Sequence, residues 1–297
     1  MRFPVLMPDE HLYSCLIRAR FLNAEMHINE RAFFALHDLP FHLIRSQTPL
    51  CSHLNAVINL MESDPRKQFI LRLKHTPFAP WLLSLPDDMN ALDLKLSGHR
   101  NNLEESRYTV DKRWKFCPVC SKEERKKIGF SYWHSSHQLL GARRCLRHQV
   151  ALHSHKDLRY LRFSLPHHWI DKSEPINCTA WQIEWQNFIY ALAKRIQTAP
   201  NEAQKLVLEV KELLQLNRKI KRSDKPYFDK ISDEMVLDLG KTCLNGLFVD
   251  YLKDNPRKTN IPWVVFSGFS QAKSIRHPLY YLTILFWLRE KLRIVSV

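Results

Sequence analysis

Phe116-Cys117-Pro118-Val119-Cys120, separated by 24 residues from Cys145-Leu146-Arg147-His148, is the stretch on which the reading of this chain turns. A CxxC and a CxxH each let one tight turn deliver two ligands. Four such ligands complete the tetrahedron that zinc prefers. Cys117, Cys120, Cys145 and His148 therefore predict one bound Zn2+. Four protein ligands leave no open position, so the ion is expected to be structural rather than catalytic. A redox CxxC is disfavoured, because no βαβ pattern surrounds the pair. His153 is the alternative to His148 as fourth ligand. His134 and His137 read as core or DNA-facing residues, and His167-His168 as structural or surface residues.

The other cysteines, Cys15, Cys51, Cys178 and Cys243, stand alone, and seven is an odd count. No apolar leader follows Met1. Both features argue against a disulfide framework and for a reducing, cytoplasmic setting, with the lone cysteines as small buried hydrophobes. The most apolar run, Pro278 to Leu288, is 11 residues long. A bilayer span needs about 20, so no membrane partner is expected.

Lys and Arg total 45 against 30 Asp and Glu, a formal charge of +15 in 297 residues. The surplus is concentrated. Residues 111–160 carry 12 cations against 4 acids, and residues 251–297 carry 8 against 2. A concentrated positive charge on a chain with no membrane signal points to nucleic acid. Lys126, Lys127, Arg143, Arg144 and Arg147 are candidate phosphate contacts of the first block. Arg257, Lys258, Lys273 and Arg276 are those of the second. A solvated basic face is the alternative at each. If the blocks grip phosphates, affinity should fall steeply with salt, and replacing Arg143 and Arg144 with alanine should flatten that slope.

Outward from the cysteines the pattern is helical. Apolar spacing predicts helices from Leu12 to Ala19, over about Asn29 to His37, Leu50 to Met61 and Pro65 to Lys74, with one more in 87–108. Residues 111–160 show little helical period. From Thr179 a capping-box spacing with Gln182 opens a helix whose stripe is Trp181, Trp185, Phe188, Ile189, Leu192 and Ile196. A second amphipathic helix follows, then a charged connector at Arg218 to Arg222 and several helices to the end, the last beginning at Pro278. The expected division is 1–110, a zinc-binding segment 111–170, and a C-terminal helical domain 171–297.

With six glycines there is no GxGxxG and no P-loop, and no GxSxG, HExxH or SxxK occurs. A zinc-stabilised nuclease built around His134 would need acidic or asparagine partners for a second metal, and none is expected close to it. The chain is therefore expected not to be an enzyme.

These residues resemble the TnsD/TniQ family of target-site selectors of bacterial transposons, closest to its TnsD branch. Phe3-Pro4-Val5 through Pro8, Glu10, Leu12-Tyr13-Ser14 and Arg18-Ala19 are similar to the family's N-terminal signature. His75-Thr76-Pro77-Phe78-Ala79-Pro80-Trp81 looks like a TnsD-branch segment. Phe116 to Cys120, Trp133-His134, Gly141 and Cys145 to His148 match its CCCH motif, and Ser274 to Leu279 is similar to its C-terminal helical region. The resemblance implies a mainly α, multidomain chain with an N-terminal helix-turn-helix, a central zinc module and a C-terminal helical DNA-binding region. It implies the partners too: double-stranded attachment-site DNA and the TnsC-like AAA+ ATPase that regulates the transposase. Its second reading is an adaptor on an RNA-guided CRISPR complex. Phe3 and Leu6, on an arm that is nearly neutral, are the candidate ATPase contacts. Packing on the chain's own core is the equal alternative for both. On the first reading, deleting residues 1–8 spares folding and abolishes recruitment.

Overall fold

Helix starts are set by local chemistry. Asn29 caps the helix Glu30–Leu36 by accepting the Ala32 N–H. Asp64 caps Pro65–His75 by accepting the Arg66 N–H, and Pro65 sits where a helix has no use for an N–H. The computed structural model describes residues 2–39, 52–78, 81, 108–109, 113–159, 163–199, 201–251, 260–267 and 277–294. Among these the helices are α1 (Leu12–Leu22), α2 (Glu30–Leu36), α3 (Ser52–Met61), α4 (Pro65–His75), α5 (Pro118–Ile128), α6 (Ala180–Thr198), α7 (Glu202–Leu213), α8 (Lys225–Leu247), α9 (Ile261–Phe266) and α10 (Leu279–Trp287). One short antiparallel ribbon, β1 (His153–Ser154) with β2 (Glu174–Pro175), is the sheet among the described residues. None of these helices is long and apolar enough to cross a membrane. The helix expected within 87–108 lies outside the described residues.

The chain forms two compact units: residues 1–76 with 111–189, and residues 77–110 with 190–297. This grouping departs from the expected division at 110 and 170. The reason is the core of the first unit. Leu12, Leu16 and Ile17 of α1, Phe33 and Phe34 of α2, and Val57 and Ile58 of α3 share one buried cluster with Trp114, Phe116 and Trp133. A segment of this size buries a smaller share of its surface and is marginal alone, and the cysteine segment supplies two tryptophans to it. Trp114 and Trp133 meet edge to face at 5.5 Å. Backbone pairing adds to this. The His11 N–H reaches Trp133 O at 2.7 Å, and Ser135 N–H reaches Asp9 O at 2.7 Å.

The N-terminal arm is part of this unit. Phe3 and Leu6 pack against its core. The guanidinium of Arg18 donates to Val5 O, and Asn23 exchanges two hydrogen bonds with the Arg2 backbone. Phe3 and Leu6, both half-buried, thus pack on the chain's own core, one of the two alternatives for them. Val5, 85% exposed, is an apolar side chain that the arm presents to solvent. Removing residues 2–8 is accordingly expected to lower stability by about 2–3 kcal/mol, from the lost apolar burial of Phe3 and Leu6. Urea unfolding of the truncated chain checks this, and an unchanged midpoint would refute it.

Residues 111–160, expected to have little helical period, contain α5. Its inward face is small and polar, Cys120, Ser121 and Glu124, so no apolar stripe announces it. The true signals were at its ends, Pro118 in the first turn and Gly129 beyond the last in the left-handed region, φ 84°.

In the second unit, α10 is buried on all sides and packs with α8 and α9. A non-helical residue at Gly240 divides α8 in two. Trp81 stacks on Tyr281 with ring centres 5.7 Å apart, placing the tail of the His75-to-Trp81 segment in this core. The Arg218-to-Arg222 connector is solvated as expected, apart from Ile220.

Candidate metal centre

Two tight turns face each other. In the first, Cys117 caps α5 through its own sulfur, which accepts the Cys120 N–H at 3.5 Å. The helix thus starts at the ligand, with Cys120 one turn inside it. In the second, Cys145 N–H bonds Val150 O and Gln149 N–H bonds Cys145 O, both at 2.9 Å, closing a knuckle over Leu146 to Gln149. Gln149 takes the left-handed conformation that this reversal needs, φ 56°. Gln186 of α6 clamps the knuckle's root, accepting the N–H groups of Arg143 and Arg144 at 2.6 and 2.8 Å.

The ligand atoms of Cys117, Cys120, Cys145 and His148 all lie within 4.8 Å of one another. A tetrahedron with Zn–S of about 2.3 Å and Zn–N of about 2.0 Å has edges of roughly 3.5–3.8 Å. The edges here are 3.7 Å for Cys120 to Cys145, 3.5 Å for Cys117 to His148 Nδ1, 3.8 Å for Cys145 to His148 and 3.2 Å for Cys120 to His148. Ionisation tells the same story. Hydrogen bonding with Cys117 and Cys145 drives the Cys120 thiol far above its ordinary value, while hydrogen bonding with Cys117 and Cys120 drives Cys145 far below it. Three sulfurs this close cannot all ionise without a cation, and a divalent ion removes the conflict. The donor set fits zinc.

Outer partners hold the ligands. His148 turns Nε2 toward Glu123 Oε1 at 3.3 Å. His137, 2% exposed, is buried beside the Cys145 sulfur. It is a core residue, one of the two roles expected of it. His153 is not the fourth ligand: its Nδ1 pairs with Ser173 Oγ at 3.2 Å. His167 joins Ser131 Oγ at 2.9 Å, a structural role.

His134 is the residue on which sequence reasoning failed. Acids do flank it, one from 125 residues away and one from ten residues before it on α5. Asp9 Oδ2 lies 3.2 Å from its Nδ1, and Glu124 Oε1 lies 2.5 Å from its Nε2. Burial alone would depress its pKa, but the hydrogen bonds and charges of the two carboxylates raise it to about 9. Both ring nitrogens are occupied, so it is not a free base. It fastens the arm, at Asp9, to α5, at Glu124.

The candidate phosphate contacts divide. Lys126 and Lys127 are exposed at the end of α5, joined by Lys122 and Arg125, which the sequence reading left out because it did not expect the helix. Among the described residues none of these four pairs with a carboxylate. Arg147 pairs with Glu123 at 2.8 Å. Arg143 donates to Asn177 O at 2.7 Å and Arg144 to Gln149 O, so both guanidinium groups brace the knuckle. Arg257, Lys258, Lys273 and Arg276 lie outside the described residues.

A mainly helical unit built on a CCCH cluster, with its N-terminal helices in the same core, is the arrangement expected of a TniQ domain. The TniQ family model matches residues 1–152, which takes in all four ligands. The chain belongs to the TniQ family and is a transposition-associated protein. No curated protein sequence matches it significantly.

Proposed function

We propose that the chain is a target-site selector of a cut-and-paste transposon: it binds attachment-site DNA and recruits the AAA+ regulator of the transposase, with no strand cleavage of its own. The observation that carries this reading is the row Lys122, Arg125, Lys126 and Lys127 on α5, exposed and without acidic partners among the described residues. α5 is anchored at its first turn by the metal ligands, so these cations extend from a braced helix rather than a loose loop. The metal in this reading is Zn2+, and its role is to hold that surface in place.

α3 and α4, joined by the three residues 62–64, supply the helix-turn-helix. The outward side of α4 carries Arg66, Lys67 and Ile70, a mixture suited to phosphates and base edges. Val5 on the arm is the side chain assigned to the ATPase, since protein partners are sought by exposed apolar groups with little charge.

Replacing Lys122, Arg125, Lys126 and Lys127 together with alanine is expected to weaken DNA binding at least tenfold. It should also reduce the slope of log K against log salt by about 2–4, at ~0.9 per phosphate contact. Replacing Arg143 and Arg144 should change the slope little and lower stability instead. Binding isotherms at several salt concentrations distinguish the two sets. If the quadruple variant binds with an unchanged slope, the α5 interface is wrong.

A further inference from the structure

We propose that a second divalent cation binds beside the first, held by Cys120, Glu124 and His134, with the Cys120 sulfur shared by both ions. The ligand atoms of these three residues lie within 4.8 Å of one another. Glu124 follows Cys120 by four residues on α5, so helical geometry brings both side chains to the same buried face. His134 reaches them from the segment that pairs with the N-terminal arm, its Nε2 directed at Glu124.

Each group already has the outer support that metal ligands carry. Asp9 Oδ2 sits on the far nitrogen of His134, the carboxylate–histidine arrangement that fixes the ring and aims its other nitrogen at a metal. Asp9 is itself held by the N–H and hydroxyl of Ser136. The second oxygen of Glu124 accepts the Tyr132 N–H at 3.2 Å. These contacts leave one face of each ligand for a common centre.

Charge favours occupancy. One divalent ion among the thiolates of Cys117, Cys120 and Cys145 leaves the cluster with an excess negative charge, and the nearby carboxylates of Asp9 and Glu124 add to it. Excess charge of one sign is costly to bury, and a second divalent ion offsets most of it. The cation takes the place of the direct contact between Glu124 Oε1 and His134 Nε2. Thiolate, imidazole and carboxylate together select zinc, cobalt or cadmium rather than magnesium or calcium. A water molecule completes the coordination.

The proposal rests on the CCCH cluster being a metal centre, and one measurement separates the two. The full chain is loaded with excess Zn2+, freed of loosely bound ions by gel filtration, and its metal-to-protein ratio is determined. Two ions per chain are expected in the wild type, and one in Glu124→Gln and in His134→Gln. Cadmium substitution should give two resonances by NMR, coupled through the shared sulfur. One ion per wild-type chain overturns the second site and leaves the CCCH centre standing. No bound ion overturns both. A second ion that survives both substitutions overturns the assignment of its ligands. The wild-type ratio decides the matter even where a variant fails to fold.

Discussion

A Cys120→Ser chain should lose its metal and a large part of its stability together. Cys120 is buried, and its sulfur stands 3.7 Å from Cys145 and 3.2 Å from His148 Nδ1, at the centre of the cluster. Serine offers a far poorer ligand to zinc, and without the ion the remaining sulfurs cannot all stay ionised. Loss of a structural metal belongs to the small set of changes that cost more than about 4–5 kcal/mol. The loss should not stay local. Phe116, next to Cys117, lies in the same core as Leu12, Phe33 and Ile58, so α1, α2 and α3 are expected to loosen with the knuckles. Hydrogen exchange at the amides of α1 and α3 is the measurement. Faster exchange there, with metal content near zero, is the expected result. A variant that loses its metal while α1 and α3 stay protected would show that the helices hold without the cluster.

The second large effect is expected at a residue that binds nothing. Gly141 has φ +82°, where side chains are strained, and a Cβ added there would lie 2.5 Å from two ring atoms of Trp185. Trp185 cannot yield, being 2% exposed and hydrogen-bonded through its indole N–H to Leu140 O at 3.3 Å. Gly141→Ala should therefore cost about 2–4 kcal/mol, the sum of left-handed strain and overpacking. Gln186, one residue further along α6, holds the amides of Arg143 and Arg144. Pushing Trp185 away would pull that clamp from the knuckle, so metal affinity should fall as well. Denaturant titration and competition with a chelator test the two parts. A stability within about 0.5 kcal/mol of wild type would falsify the packing account, since that is the range of ordinary surface substitutions.

Much of this was legible in the residues alone. The ligand set follows from two x2 spacings, because a tight turn is local and its geometry needs no partner from elsewhere. Helix starts at Pro65, Thr179 and Pro278 follow from capping chemistry that acts within a turn, and Gln182 does accept the Thr179 N–H, at 3.0 Å. Of the stripe, Trp185, Phe188, Ile189, Leu192 and Ile196 are buried and Trp181 is half-buried, because a 3.6-residue period states which face is apolar wherever that face later packs.

Other features were decided only when distant segments met. Asp9 and His134 are 125 residues apart, and Glu124 completes their group from a helix whose inward face carries no apolar signal. Arg143 and Arg144 read as phosphate contacts from their charge, yet their guanidinium groups brace carbonyls at Asn177 and Gln149. Phe3 and Leu6 read equally well as partner contacts or core, and they pack half-buried against the core on an arm held by Arg18 and Asn23. The cysteine segment reads as a module of its own, but Trp114 and Trp133 serve a core shared with α1, α2 and α3. The physical division is one of range. Turns, caps and periodic faces are specified by neighbours within a few residues, whereas the use of a charge or an aromatic ring depends on what packing brings beside it.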